Sequence, residues 1–308
     1  MKVVLKALKV IMIMIGCMMV GANLLTAQEV GQNSIKKDVI YGRAGGLDLT
    51  CDILQPDQGK GPFPAILFFH GGGWQAGDKS HGHHWLRSFA KSGYVGISVG
   101  YRFAPEYPWP AQVLDAKAAV RYVRANAEPL QIDPNRIGVM GESAGGYLAL
   151  MIGMTEDGDE FEENDGSKEY SSTVQAVVAY FSATDFTLPR PILQDDIKES
   201  VMAYYGKTLD AVMADFMGTA TPTPALLKKM SVVTYVDGHD PPCQIFQGDA
   251  DPFVSVSQAL KLDQALTQAN VRHDLIIVPG GGHGWTGKLA EETTAQMMKF
   301  FENELGSQ

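Results

Sequence analysis

The stretch Gly141-Glu142-Ser143-Ala144-Gly145-Gly146 sets a serine at a sharp bend, after the apolar run "RIGVM" and before "YLALMIGM". A serine hydroxyl at its ordinary pKa is a poor nucleophile, so covalent chemistry there needs a base in reach. Seven histidines are available. His283 is the best placed of them, in "VPGGGHGW" on a glycine-rich loop directly after the last apolar run. An acid that orients the histidine should leave the end of the preceding strand, and "CQIFQGDADPFVSV" supplies Asp249 and Asp251. Asp251 is preferred, because an acid beyond the strand end can reach back to the imidazole. Asp249 stays open as the rival, and either carboxylate would also serve as a helix cap. A developing oxyanion needs preorganised donors. The loop "FFHGGGWQAGDK" offers the N–H groups of Gly72 and Gly73, and Ala144 after the serine adds a third. The loop fits neither the dinucleotide nor the P-loop glycine pattern.

The elements that must hold these residues follow from hydropathy. "DVIYGRA" and "LDLTCDIL" alternate as a partly exposed hairpin. "PAILFFH", "YVGISV", "RIGVMG", "VQAVVAYF", "CQIFQG" and "HDLIIVP" are short, nearly continuous apolar runs suited to strands buried on both faces. Helical patterns alternate with them, which predicts a doubly wound, mostly parallel α/β sheet flanked by helices. On such a sheet the reactive crevice forms beyond the carboxyl ends of the strands, where all these loops lie. Residues 185–231 break the alternation with amphipathic patches and "TPTP", and are expected to form a small cap insertion over the sheet. The acidic stretch 155–172 lacks EF-hand spacing and reads as a solvated loop.

A chain of 308 residues with 45% hydrophobic and 19% charged residues suits one large globular core. Its formal net charge of -10, with no basic stripe, excludes a nucleic-acid partner. Lys2, Lys6 and Lys9 precede an apolar run that ends at "LTAQ". That order predicts a signal peptide over residues 1–27, export to the periplasm or medium, and no stable membrane partner after cleavage. Cys17 is read as part of that leader. Cys51 and Cys243 lie in apolar runs and are expected as free buried thiols.

Taken together, "HGGGW", "YRFAPEYPWPAQVLDA", "DPNRIGVMGESAGGYLAL", "QGDADPFVSVSQ" and "GGGHGW" resemble the α/β-hydrolase superfamily. Within it they are most similar to the hormone-sensitive-lipase-like group and to bacterial feruloyl and acetylxylan esterases. The resemblance implies a single α/β-hydrolase domain over 28–308. It also implies Ser143 as nucleophile, His283 as general base and acid, Asp251 as orienting carboxylate, and an oxyanion hole of Gly72, Gly73 and Ala144. It implies no cofactor and no metal, and an ester of a small molecule or oligosaccharide as substrate. Glu142 departs from the aspartate common in the lipase-like subgroup. A short-chain carboxylesterase, a formamidase-type amidase and an inert binding module on the same fold are the competing functions. Trp74 and Trp285 each follow a glycine-rich loop and are expected to wall the substrate pocket. Arg102 and Glu106 are expected to pin a loop. His81, His83 and His84 lack the supporting carboxylates of a metal site.

Overall fold

The computed structural model describes residues 34–158, 160–161 and 167–306. The stretch expected as a leader at 1–27, with Cys17, and the middle of the acidic stretch lie outside the described residues. An opening hairpin, β1 (Lys36–Ala44) and β2 (Leu47–Leu54), turns at Gly45-Gly46. Strand and helix then alternate: β3 (Phe63–Phe69), α1 (His83–Lys91), β4 (Val95–Val99), α2 (Ala111–Ala125), β5 (Ile132–Glu142), α3 (Ala144–Gly153) and β6 (Ala176–Tyr180). Three helices, α4 (Asp195–Tyr205), α5 (Leu209–Met217) and α6 (Pro224–Met230), occupy the stretch expected as a cap. The chain finishes through β7 (Cys243–Gly248), α7 (Val256–Gln268), β8 (His273–Val278) and α8 (Lys288–Leu305). Within "TPTP", Thr223 is an N-cap that accepts from the Leu226 N–H, with Pro224 at the first helical turn, so the breaker is also a helix start.

The eight strands form one sheet in the order β1-β2-β4-β3-β5-β6-β7-β8. β1 and β2 pair antiparallel, as do β2 and β4, and every later pairing is parallel. The central strands are apolar on both faces because helices cover both. Leu148 of α3 and Leu262 of α7 pack in the core on one face, while Phe89 of α1 and Phe301 of α8 pack in the core on the other. Cys51 and Cys243 are buried and unbonded, and burial pushes the Cys51 thiol up to about 12. Among the described residues no helix is long and apolar enough to cross a membrane.

From β3 the chain winds to β4 on one side, and from β5 it winds to β6 on the other. The direction of winding therefore reverses between β3 and β5. The loops leaving these two strands diverge there and open a crevice. Those loops carry His70 to Gly73 and Ser143.

Candidate active site

Ser143 stands at the turn from β5 into α3 with φ 53° and ψ -117°, a conformation that L-residues rarely adopt. The turn is so tight that a Cβ on Gly145 would fall 2.0 Å from the Phe69 carbonyl oxygen, and one on Gly141 would fall 2.2 Å from the Gly145 carbonyl carbon. Those contacts are with backbone and have no soft neighbour to yield. Gly145→Ala is accordingly expected to cost about 4 kcal/mol or to abolish soluble expression, measured by urea unfolding. The Ser143 N–H donates to the Tyr180 carbonyl at 2.9 Å, which ties the bend to β6.

The strain aims the hydroxyl at His283. Ser143 Oγ lies 2.8 Å from His283 Nε2, and His283 Nδ1 lies 2.8 Å from Asp251 Oδ2. The Asp251 side chain is fully buried, and its Oδ1 accepts from the N–H groups of Phe253 (2.8 Å) and Val254 (3.0 Å). An ionised acceptor next to Nδ1 holds the proton on that nitrogen and leaves Nε2 free to accept from the serine. The rings of Phe181 and Phe253 flank the imidazole with centroids at 4.8 and 5.2 Å. Asp249 takes a different part: its Oδ1 accepts from the Gly280 N–H at 2.7 Å, bracing the loop that carries His283.

Gly72, Gly73 and Ala144 line the same cavity as Ser143 and His283. A Cβ on Gly72, at φ +122°, would lie 2.0 Å from the Ala76 carbonyl oxygen. Only glycine fits there, because the Gly72 carbonyl turns outward to accept from the N–H groups of Gln75 and Ala76. Among the described residues no acceptor meets the Gly72 or Gly73 N–H. Ala144 opens α3, so its N–H belongs to the first turn, where helix donors lack internal partners and the dipole is positive.

His70, just before these glycines, was not singled out in the sequence. It is buried and stacks on Tyr101 at 4.5 Å, and burial pulls its pKa down to about 4. Its neutral Nδ1–H donates to the Gly71 carbonyl at 2.7 Å. Arg102 pins the loop after β4 by its ion pair with Asp115 at 2.7 Å. Of the three clustered histidines, His83 Nε2 contacts Asp52 Oδ2 at 2.6 Å and His84 Nδ1 contacts the His81 carbonyl at 2.9 Å. Among the described residues no group of three metal-ligating side chains forms.

The cavity has a volume of about 940 Å³. Its floor is the strand-end loops, and α4 to α6 supply Tyr205, Val212, Met213, Met217 and Leu227 around it. Trp74 lines it as expected, with Nε1–H donating to the Ala144 carbonyl at 3.1 Å and the indole stacked 3.8 Å from Phe216 of α5. Trp285 does not. Its Nε1–H donates to Thr293 Oγ1 of α8 at 2.9 Å, and its ring packs against Phe181 in the core on the α8 face of the sheet. Gly284, at φ 97°, turns the chain after His283, and the indole reaches its hydrogen-bond partner inside the core rather than in the pocket.

Glu142 also lines the cavity, yet its carboxyl is buried beside Trp85, whose Nε1–H donates to Oε1 at 3.2 Å. Burial pushes its pKa from 4.5 up to about 7. The native state thus keeps a proton that the unfolded chain has already released. The resulting stabilisation is complete below pH 4.5 and is lost as pH rises through about 7. The loss amounts to about 3 kcal/mol. Glu142→Gln keeps an acceptor for Trp85 and removes the ionisation, so its unfolding free energy should exceed that of the parent at pH 8 and match it near pH 4.5. Equal denaturant midpoints at pH 8 would refute the burial argument.

Known proteins similar to this chain agree with its fold. The BD-FAE family model matches residues 51–266. Esterase LipC of Mycobacterium tuberculosis is 29% identical over 88% of this chain and 65% of its own length. The probable carboxylic ester hydrolase LipM of the same organism is 30% identical over 75% of this chain and 50% of its own. The chain thus spans only half to two-thirds of these curated relatives. A truncated carbohydrate esterase from gut microbiota superposes with a TM-score of 0.74 at 28% identity, covering 92% of this chain and all of that one. An acetyl ester-xyloside bifunctional hydrolase from Caldicellulosiruptor lactoaceticus gives 0.69 at 26% identity, over 90% of this chain and 98% of that one. With the sheet order, the strained serine turn and a family match that spans most of the chain, this protein has the α/β-hydrolase fold and belongs to the BD-FAE family.

Proposed function

We propose that the protein is a serine carboxylic ester hydrolase working through an acyl-enzyme. The observation that carries this reading is the unbroken line from Ser143 Oγ through His283 to Asp251, 2.8 Å at each step, opening into a cavity lined by Gly72, Gly73 and Ala144. Ser143 attacks the ester carbonyl as His283 Nε2 takes its proton, and Asp251 stabilises the imidazolium. The oxyanion is received by the N–H groups of the glycine loop and Ala144. His283 then protonates the departing alcohol, and water repeats the sequence on the acyl-serine. Residues 28–308 act as one α/β-hydrolase domain, with 185–231 as its cap.

The substrate in this reading is an acetyl or feruloyl ester on plant polysaccharide, met outside the cytoplasm after removal of residues 1–27. The names of the carbohydrate esterase and the acetyl ester-xyloside hydrolase support the sugar side. The side chains of Val212, Met213, Met217 and Leu227 in the cavity lining suit an acyl or aryl group. The test is a panel of p-nitrophenyl acetate, acetylated xylan, feruloylated oligosaccharide and an N-formyl amide. Turnover of the sugar esters at least about tenfold above the amide in kcat/KM is the expected result. A preference for the amide would overturn the ester reading, and hydrolysis of p-nitrophenyl acetate alone would remove the polysaccharide.

A further inference from the structure

Gln247 occupies the end of β7, pairs with Ile277 of β8, and is fully buried. Its Nε2 lies within hydrogen-bond distance of three acceptors: the Val254 carbonyl at 3.0 Å, the Gly248 carbonyl at 3.1 Å and Asp251 Oδ2 at 3.2 Å. Three acceptors facing one terminal atom require that atom to be the amide nitrogen, so the orientation of the amide is settled by chemistry. Its Oε1 is buried with no partner among the described residues. A buried amide with an orphaned carbonyl is a poor choice for a strand position, where a leucine or methionine would fill the space without that penalty. The neighbours Ile245 and Phe246 are apolar.

We infer that Gln247 is a positioning residue for the proton relay, holding the Asp251 carboxylate at the angle that faces His283. The inference rests on the catalytic assignment of Ser143, His283 and Asp251. Oδ1 is fixed by the Phe253 and Val254 N–H groups, which leaves the carboxylate free to rock about that edge. The Gln247 amide, anchored to the Val254 carbonyl, meets Oδ2, the oxygen that accepts from His283 Nδ1. It stops the rocking and, as a neutral donor, draws off part of the carboxylate charge. Among the described residues no further charged group is hydrogen-bonded to the Asp251–His283 pair.

The test compares Gln247→Met with Gln244→Met in the full chain, using p-nitrophenyl acetate. Gln244 is a second buried glutamine of β7 with an unpartnered Oε1, and no hydrogen bond joins it to Asp251. Loss of the Gln247 donor should lower kcat about tenfold with KM held within about twofold. Because the carboxylate is then less shared, the imidazolium is favoured, and the acid limb of kcat/KM should move up by about half a pH unit. Gln244→Met should leave that limb in place. Should Gln247→Met fail to fold, Gln247→Asn keeps an amide one methylene short of Asp251 and carries the same expectation. Folded Gln247 variants with unchanged kcat and an unmoved limb, or a Gln244 variant that shifts it equally, would overturn the inference. Full activity in Ser143→Ala would instead overturn the catalytic assignment beneath it.

Discussion

Replacing Ser143 by alanine is expected to lower kcat for p-nitrophenyl acetate by about 10⁴-fold or more, with the thermal midpoint unchanged. The reason is local. Ser143 Oγ is the hydroxyl hydrogen-bonded to His283 Nε2. Thr187 and Ser255 also line the cavity, but no hydrogen bond joins either hydroxyl to that nitrogen among the described residues. The N–H groups proposed as oxyanion donors stay in place in the variant, so a residue of catalysis over the solvent rate should survive. The strained φ also stays, since alanine tolerates it no better than serine, and folding stability has no cause to move. Wild-type turnover in the variant would transfer the nucleophile to another cavity hydroxyl, Thr187, Ser255 or Thr219 among them, and mass spectrometry of the trapped acyl-enzyme would show which.

The second large effect separates two carboxylates two residues apart. In Asp251→Asn, the atom at the Oδ1 position must still accept from the Phe253 and Val254 N–H groups, so it has to be the amide oxygen. The amide nitrogen then faces His283 Nδ1, where two donors cannot meet. The imidazole answers by moving its proton to Nε2, and Ser143 loses its acceptor. A loss of roughly 10⁴-fold in kcat is expected, with KM nearly constant. Asp249→Asn meets no such conflict, because an amide oxygen accepts from the Gly280 N–H as well as a carboxylate does. Its kcat should stay within about threefold. The reverse ranking of the two variants would exchange their roles.

The legible parts of the molecule were those set by short-range sterics. Ser143 stood out because glycines at 141 and 145 have no explanation in a plain helix start, and both turn out to abut backbone. The strands were legible from their apolar runs, and the crevice followed from where those runs end. What the chain did not disclose was set by which partner a side chain reaches after a turn. Trp285 follows a glycine-rich loop just as Trp74 does, but Thr293 of α8 captures its N–H. Nothing near Trp285 in the sequence announces a partner eight residues on in the next helix. Gln247 is hidden for the same reason: an amide in an apolar strand has no pattern of its own, and its meaning lies in the loop folded over it. Thr223-Pro224 was half legible, as an interruption but not as the cap of α6.

Trp74 touches two parts of the molecule that answer to different demands. Its N–H holds the first residue of α3, and its ring lies flat on Phe216 of α5. Phe216 is fully buried, and Tyr204 of α4 is partly exposed at the cavity. The three helices over the cavity are thus anchored at Phe216 and solvent-facing at Tyr204. Substitutions on the α4 side would reshape the cavity mouth, while the Trp74–Phe216 stack keeps the turn that carries Ser143 in register. The tryptophan is thus one rigid joint shared by the serine turn and the helices over the cavity.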